Sequence, residues 1–110
     1  LKLSWPDGSR RCLSRRPHPQ AAMPKATVCI CGGGNAAHVF IPYFTEQGYE
    51  VTVFADFQDE AERLSKAVEE NGGITVHDRC DPKNIKEYTA KPVAVSKDAK
   101  DVVPQADYII

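Results

Sequence analysis

The sequence predicts an α/β fold, a doubly wound parallel sheet, on three observations. A continuous apolar, β-branched run extends from Ala26 to Cys31, a glycine-rich break follows it directly, and strand-like and helix-like segments alternate along the rest of the chain. The apolar run does not alternate with polar residues, as expected of a strand covered on both faces of a parallel sheet.

The elements follow in order. Residues 1–22 contain Pro6, Gly8, Pro17, Pro19 and scattered arginines without periodicity, and Met23 is the only methionine. They are expected to be a disordered leader or a translation or cloning remnant, with an organellar presequence and an ordinary disordered extension as alternatives. Residues 23–110 are expected to form one domain, incomplete at its C-terminus. After the first strand, Ala36, Ala37, Phe40, Ile41 and Phe44 recur at helical spacing up to Gly48, and Pro42 inside that pattern predicts a kink. Tyr49 to Phe54 reads as a second strand. A helix from about Gln58 to Asn71 carries the stripe Ala61, Leu64, Ala67 and Val68, with Glu62 and Lys66 paired on its wet side and Gly72-Gly73 as its stop.

Ile74 to Val76 and Pro92 to Val95 are short strand candidates around a polar excursion containing Asp81-Pro82. Ser96 is placed to cap a short helix through Val103, Pro104 ends it, and Tyr108 to Ile110 opens another buried strand. Right-handed crossovers then give the strand order 3-2-1-4, with residues 32–35 at the carboxyl edge of the first strand, where such sheets bind ligands.

Composition bounds the function. A length of 110 residues allows one core, and 42% hydrophobic, 26% charged and 8% aromatic residues describe an ordinary globular domain. No apolar run approaches the roughly 18 residues of a membrane span. The net charge of −1 hides a split: residues 1–22 carry five basic residues and one acidic, whereas residues 23–110 carry nine basic and fourteen acidic. An acidic body repels phosphate-rich partners, so neither nucleic acid nor a membrane surface is expected as a partner. Cys12, Cys29, Cys31 and Cys80 lack the spacing of a zinc site; they read as plain buried thiols, with Cys29 and Cys31 sharing one strand face, in a reducing, cytoplasmic setting.

The break Gly32-Gly33-Gly34-Asn35-Ala36-Ala37 matches G-x-G-x-x-A between a strand and a helix. Gly32 permits the tight turn, Gly34 lets a pyrophosphate approach the backbone, and Ala37 permits close helix-to-strand packing, while the helix N-terminus offers unpaired N–H groups to the phosphates. This is the Rossmann-like arrangement for a dinucleotide. Asp56 stands 22 residues after Gly34, one residue later than the usual ribose-binding acid; it serves the ribose, caps a helix or is a solvated loop carboxylate. The stretch from Glu50 to Glu62 has no Lys or Arg, so NAD is favoured over NADP. His38 is expected to pack or make an ordinary hydrogen bond, His77 and His18 join no constellation, and Asp59 to Arg63 reads as a solvated helix face.

The run Met23 to His38, with its Cys-Gly-Gly-Gly-Asn-x-Ala-His stretch, together with Asp59 to Arg63 and the segment from Lys91-Pro92 onward, resembles the invertebrate opine dehydrogenases. The resemblance covers Met23 to Ile110. It implies an NADH-dependent enzyme that reduces the imine formed from pyruvate and an amino acid, with an N-terminal Rossmann domain and a catalytic His-Asp pair in a helical domain that is not within these residues. No catalytic residue or metal ligand is therefore assigned here; the assigned cofactor contacts are Gly32, Gly33, Gly34, Asn35, Ala36, Ala37 and Asp56. Competing readings are a glycerol-3-phosphate or ketopantoate type dehydrogenase and a non-catalytic NAD sensor.

Overall fold

The computed structural model describes residues 23–110, so the reading of residues 1–22 as a leader lies outside the described residues. Among the described residues, six strands and three helices follow in the order β1 (Thr27–Cys31), α1 (Asn35–Glu46), β2 (Glu50–Phe54), α2 (Glu60–Asn71), β3 (Ile74–Asp78), β4 (Lys86–Ala90), β5 (Ala94–Ser96), α3 (Ala99–Val102) and β6 (Tyr108–Ile109). Four of the strands form one parallel sheet in the order β5-β2-β1-β6. The apolar β1 is central, flanked on one side by β2 from Thr27↔Glu50 to Cys31↔Phe54 and on the other by β6 at Val28↔Tyr108 and Cys29↔Ile109.

The expected 3-2-1-4 order holds when only the strands of this sheet are counted, but its third strand is β5. Ile74 to Val76 does not join it. The segment belongs to β3, which pairs antiparallel with β4 from Ile74↔Ala90 to Asp78↔Lys86 and packs against α1. The physical reason lies in the burial pattern: β3 alternates half-buried Ile74, Val76 and Asp78 with exposed Thr75 and His77, the signature of a strand with one dry face, whereas a strand inside the parallel sheet must be dry on both.

Helices cover both faces. Val28 and Ile30 of β1, Val51 and Val53 of β2 and Ala55 form one buried cluster with Ala37 and Ile41 of α1 and Ala61, Leu64 and Val68 of α2. The alternate residues Cys29 and Thr52 are also buried, and α3, with Val102 only 1% exposed, packs on β2 and β5 outside that cluster. Helix α1 runs unbroken from Asn35 to Glu46 through the buried Pro42. Thr45 Oγ1 donates to the Ile41 carbonyl at 2.7 Å in the same helix. Gly72 caps α2 in the left-handed conformation at φ 74°, as its position after Asn71 predicted.

Smaller expectations need correction. Helix α3 is capped by Asp98, whose Oδ1 accepts from Lys100 N–H at 3.0 Å, and not by Ser96. Ser96 is still the last residue of β5; its hydroxyl accepts from Asp98 N–H at 3.0 Å and donates to Asp101 at 2.6 Å. Helix α2 begins at Glu60, two residues later than Gln58, which has φ 50° and lies outside it. Glu62 pairs with Lys97 at 3.3 Å and Lys66 with Glu70 at 3.8 Å, so the expected Glu62–Lys66 pair gives way to longer-range and later partners.

Candidate functional site

The site is built where β1 ends. Gly32 leaves the sheet at φ 112°, a conformation that L side chains rarely adopt, and its N–H donates to the Phe54 carbonyl at 2.7 Å, so the turn is tied to the end of β2. On the other side, Cys31 N–H donates to the Ile110 carbonyl at 2.8 Å. The loop thus departs between two fixed neighbours, at the carboxyl edge as expected.

Gly34 is the N-cap of α1 with an extended backbone and no side-chain cap, and the first turn contains no acidic residue. The first bond into the helix is His38 N–H to the Gly34 carbonyl, which leaves the amides of Asn35, Ala36 and Ala37 without an acceptor among the described residues. Gly34, Asn35 and Ala36 are exposed, while Ala37 is buried against the sheet. A Cβ added at Gly34 would meet nothing within 4 Å. These features fit a phosphate-bearing ligand: three amides and the positive end of a helix dipole face open space, and the residue in front of them has no side chain to fill it.

Gly33 behaves differently. It is buried, its N–H donates to Glu60 Oε1 at 3.1 Å, and a Cβ there would lie 2.8 Å from Glu60 Cγ. Glu60 is therefore no part of a solvated face, because the start of α2 brings it against the loop. Gly33, Gly34, Asn35, His38, Glu60 and Arg63 line a hollow of about 260 Å³ between α1 and α2. A second hollow of about 270 Å³, on the β6 side, is lined by Cys31, Gly32, Gly34, Ala36 and Ile110 among others. His38, expected to pack or bond, is exposed on the rim of the first hollow. Arg63 lies one residue beyond the stretch read as free of basic groups, and its Nε is 3.1 Å from Asp59.

Asp56 is exposed, two residues beyond β2, with no hydrogen bond among the described residues. It is not a helix cap, since Asp59 holds the N-cap position of α2. Its charge reaches Cys31. Although Cys31 is exposed over much of its surface, partial burial first, then Cys29, then the negative charge of Asp56 push its thiol above the ordinary value. The reading of buried thiols holds for Cys29 alone: Cys31 stands at the strand end and Cys80 on the tip of the hairpin, both exposed, and Cys12 lies outside the described residues. His77 faces Glu87 across the hairpin at 3.2 Å, far in sequence from the loop. Among the described residues, no three His, Cys, Asp or Glu side chains converge on a point that could hold a metal ion.

The sequence is similar to a set of curated enzymes. It is 37% identical over 89 residues to the opine dehydrogenase of Haliotis discus hannai, covering 78% of this chain and 22% of the relative. It is 34% identical over 84 residues to the octopine dehydrogenase of Pecten maximus, 76% of this chain and 21% of the relative. It is 38% identical over 84 residues to the tauropine dehydrogenase of Arabella iricolor, 74% of this chain and 20% of the relative. The chain thus spans about a fifth of the length of the curated relatives it matches. No family model and no solved structure matches it.

Proposed function

We propose, from the chain's membership of the opine dehydrogenase family, that residues 23–110 are the cofactor-binding part of an NAD(H)-dependent enzyme that condenses pyruvate reductively with an amino acid. The observation that carries the reading is the open seat at the end of β1, where the free amides of Asn35, Ala36 and Ala37 face the space left by Gly34. In this reading the pyrophosphate rests on those amides, Gly32 turns the chain beneath it, Gly33 lines the adenosine side and Asp56 stands as a negative charge on the rim. When bound, the cofactor supplies the hydride; these residues bind and orient it. The acid-base group and the amino-acid pocket are supplied by residues outside this segment.

The absence of basic residues from Glu50 to Glu62 supports NAD over NADP. The free thiols of Cys29, Cys31 and Cys80, among the described residues, support a reducing, cytoplasmic setting. None of the described helices is long and apolar enough to cross a membrane.

The test follows NADH oxidation by the full-length protein with pyruvate and a panel of amino acids. Oxidation that requires both pyruvate and an amino acid supports the reading. Oxidation with pyruvate alone, or with dihydroxyacetone phosphate or ketopantoate in its place, refutes it.

A further inference from the structure

We propose that Glu60 is the carboxylate that receives the adenosine ribose hydroxyls and turns away a 2′-phosphate, an assignment that rests on the nucleotide reading of the glycine loop. Three observations lead to it. Glu60 is the one side chain among the described residues that hydrogen-bonds a backbone amide of the glycine loop, through Oε1 to Gly33 N–H at 3.1 Å. Its second oxygen has no hydrogen-bond partner among the described residues, so the group is anchored at one end and open at the other. It lines the same hollow of about 260 Å³ as Gly33, Gly34 and Asn35, which continues from the phosphate seat toward α2.

A vicinal diol is the ligand group that suits such a carboxylate, because two O–H donors can share an acceptor that is already oriented. A phosphate monoester in the same place brings close to two negative charges against an ionised oxygen with low freedom to retreat. Asp56 is less suited to a direct contact. It is exposed, no hydrogen bond among the described residues fixes its side chain, and ordering it would oppose binding. The remaining charged group in the hollow is Arg63, one turn along α2 from Glu60, and its guanidinium is engaged by Asp59 at 3.1 Å. His38 faces the hollow from α1. The close packing at Gly33, where a Cβ would come within 2.8 Å of Glu60 Cγ, has a role in the same picture: a glycine there is what lets the carboxylate reach the loop.

The experiment measures NADH and NADPH dissociation constants by fluorescence titration of the full-length protein in wild type, Glu60→Gln and Asp56→Asn. Gln keeps an acceptor for Gly33 N–H, so the variant is built to keep the loop, and thermal melting checks that it does. The expected result is wild-type preference for NADH, a fall of about tenfold or more in that preference in Glu60→Gln, and a change under threefold in Asp56→Asn. A folded Glu60→Gln variant with unchanged preference, or a larger change in Asp56→Asn, overturns the assignment while leaving the nucleotide site in place. Wild-type protein that binds NADPH more tightly than NADH also overturns it, and protein that binds neither overturns both this assignment and the nucleotide reading.

Discussion

Substituting Gly34 with Val separates binding from folding more cleanly than any other change in the loop. Its backbone has φ −82° and ψ −163°, an extended conformation that β-branched residues favour, and an added Cβ meets nothing within 4 Å. The cost to folding is that of a poorer helix cap, up to about 1 kcal/mol, offset by about 0.4–1 kcal/mol from the reduced freedom of the unfolded chain. Stability should therefore stay within about 1 kcal/mol of wild type. Binding is another matter, since the branched side chain would stand in the space in front of the amides of Asn35, Ala36 and Ala37. Overpacking of a closely fitted site costs about 2 kcal/mol or more, which is roughly a 30-fold weaker NADH dissociation constant. Calorimetric titration with NADH, run beside thermal melting of the full-length protein, reads both quantities. A Gly34→Val protein that melts like wild type and binds NADH within threefold of it would refute the reasoning. Gly32→Ala provides the contrast: at φ 112° the strain itself, on the order of 1–3 kcal/mol, should appear in the melting curve.

Other outcomes follow from single groups. Cys31 borders the hollow on the β6 side of the loop, so saturating NADH should slow its modification by a maleimide while leaving Cys80 unaffected, as mass spectrometry of the labelled peptides would report; equal slowing at both sites would contradict the placement. Thr52 Oγ1 is buried without a hydrogen-bond partner among the described residues, so Thr52→Val should hold or raise stability, by up to about 1 kcal/mol in denaturant unfolding. Asp98→Ala should lose the cap of α3 and about 0.5–2 kcal/mol of stability, visible in the same assay. The Asp78 carboxyl is held below its ordinary value chiefly by the Cys80 backbone N–H, 3.0 Å from Oδ1. A depressed folded value contributes above the unfolded value and is lost as pH falls through the folded one, so a carboxyl-detected NMR titration should give a midpoint below that of a model aspartate, and Asp78→Asn should flatten stability across that acidic window.

What the sequence made legible was local. The run Ala26 to Cys31 carries no polar residue except Thr27, so it had to be a strand covered on both faces, and the glycines after it had to turn. Glycine after Asn71 marked the end of α2 because the left-handed cap is a property of one residue. The hairpin was harder. Lys86 to Ala90 opens on two charged residues and becomes a strand only because it lies beside β3, where the hydroxyls of Thr75 and Thr89 meet at 2.8 Å. Glu60 was illegible for a related reason: its neighbours Asp59 and Glu62 are exposed, and nothing in a run of charges tells which carboxylate the crossing of α2 past the loop will turn inward. The one available signal was its position in the first turn of the helix after β2, close to the place where the motif asks for an acid.

The hairpin of β3 and β4 is a parenthesis in the chain. It leaves α2 through Gly73, whose Cα has no room for a side chain because the Ala90 carbonyl would lie 2.9 Å from it, and it returns at that same Ala90. The path from α2 to β5 therefore opens and closes at one point, and the number of residues inside has no bearing on where β5 meets β2. Chain length in this crossover is free to vary among descendants of a common ancestor without altering the sheet or its carboxyl edge, whereas a single residue gained between β1 and α1 would displace the seat itself. Sequence drift and grafted epitopes belong at the hairpin's tip, around Asp81-Pro82, and alignments of distant relatives should place their gaps there.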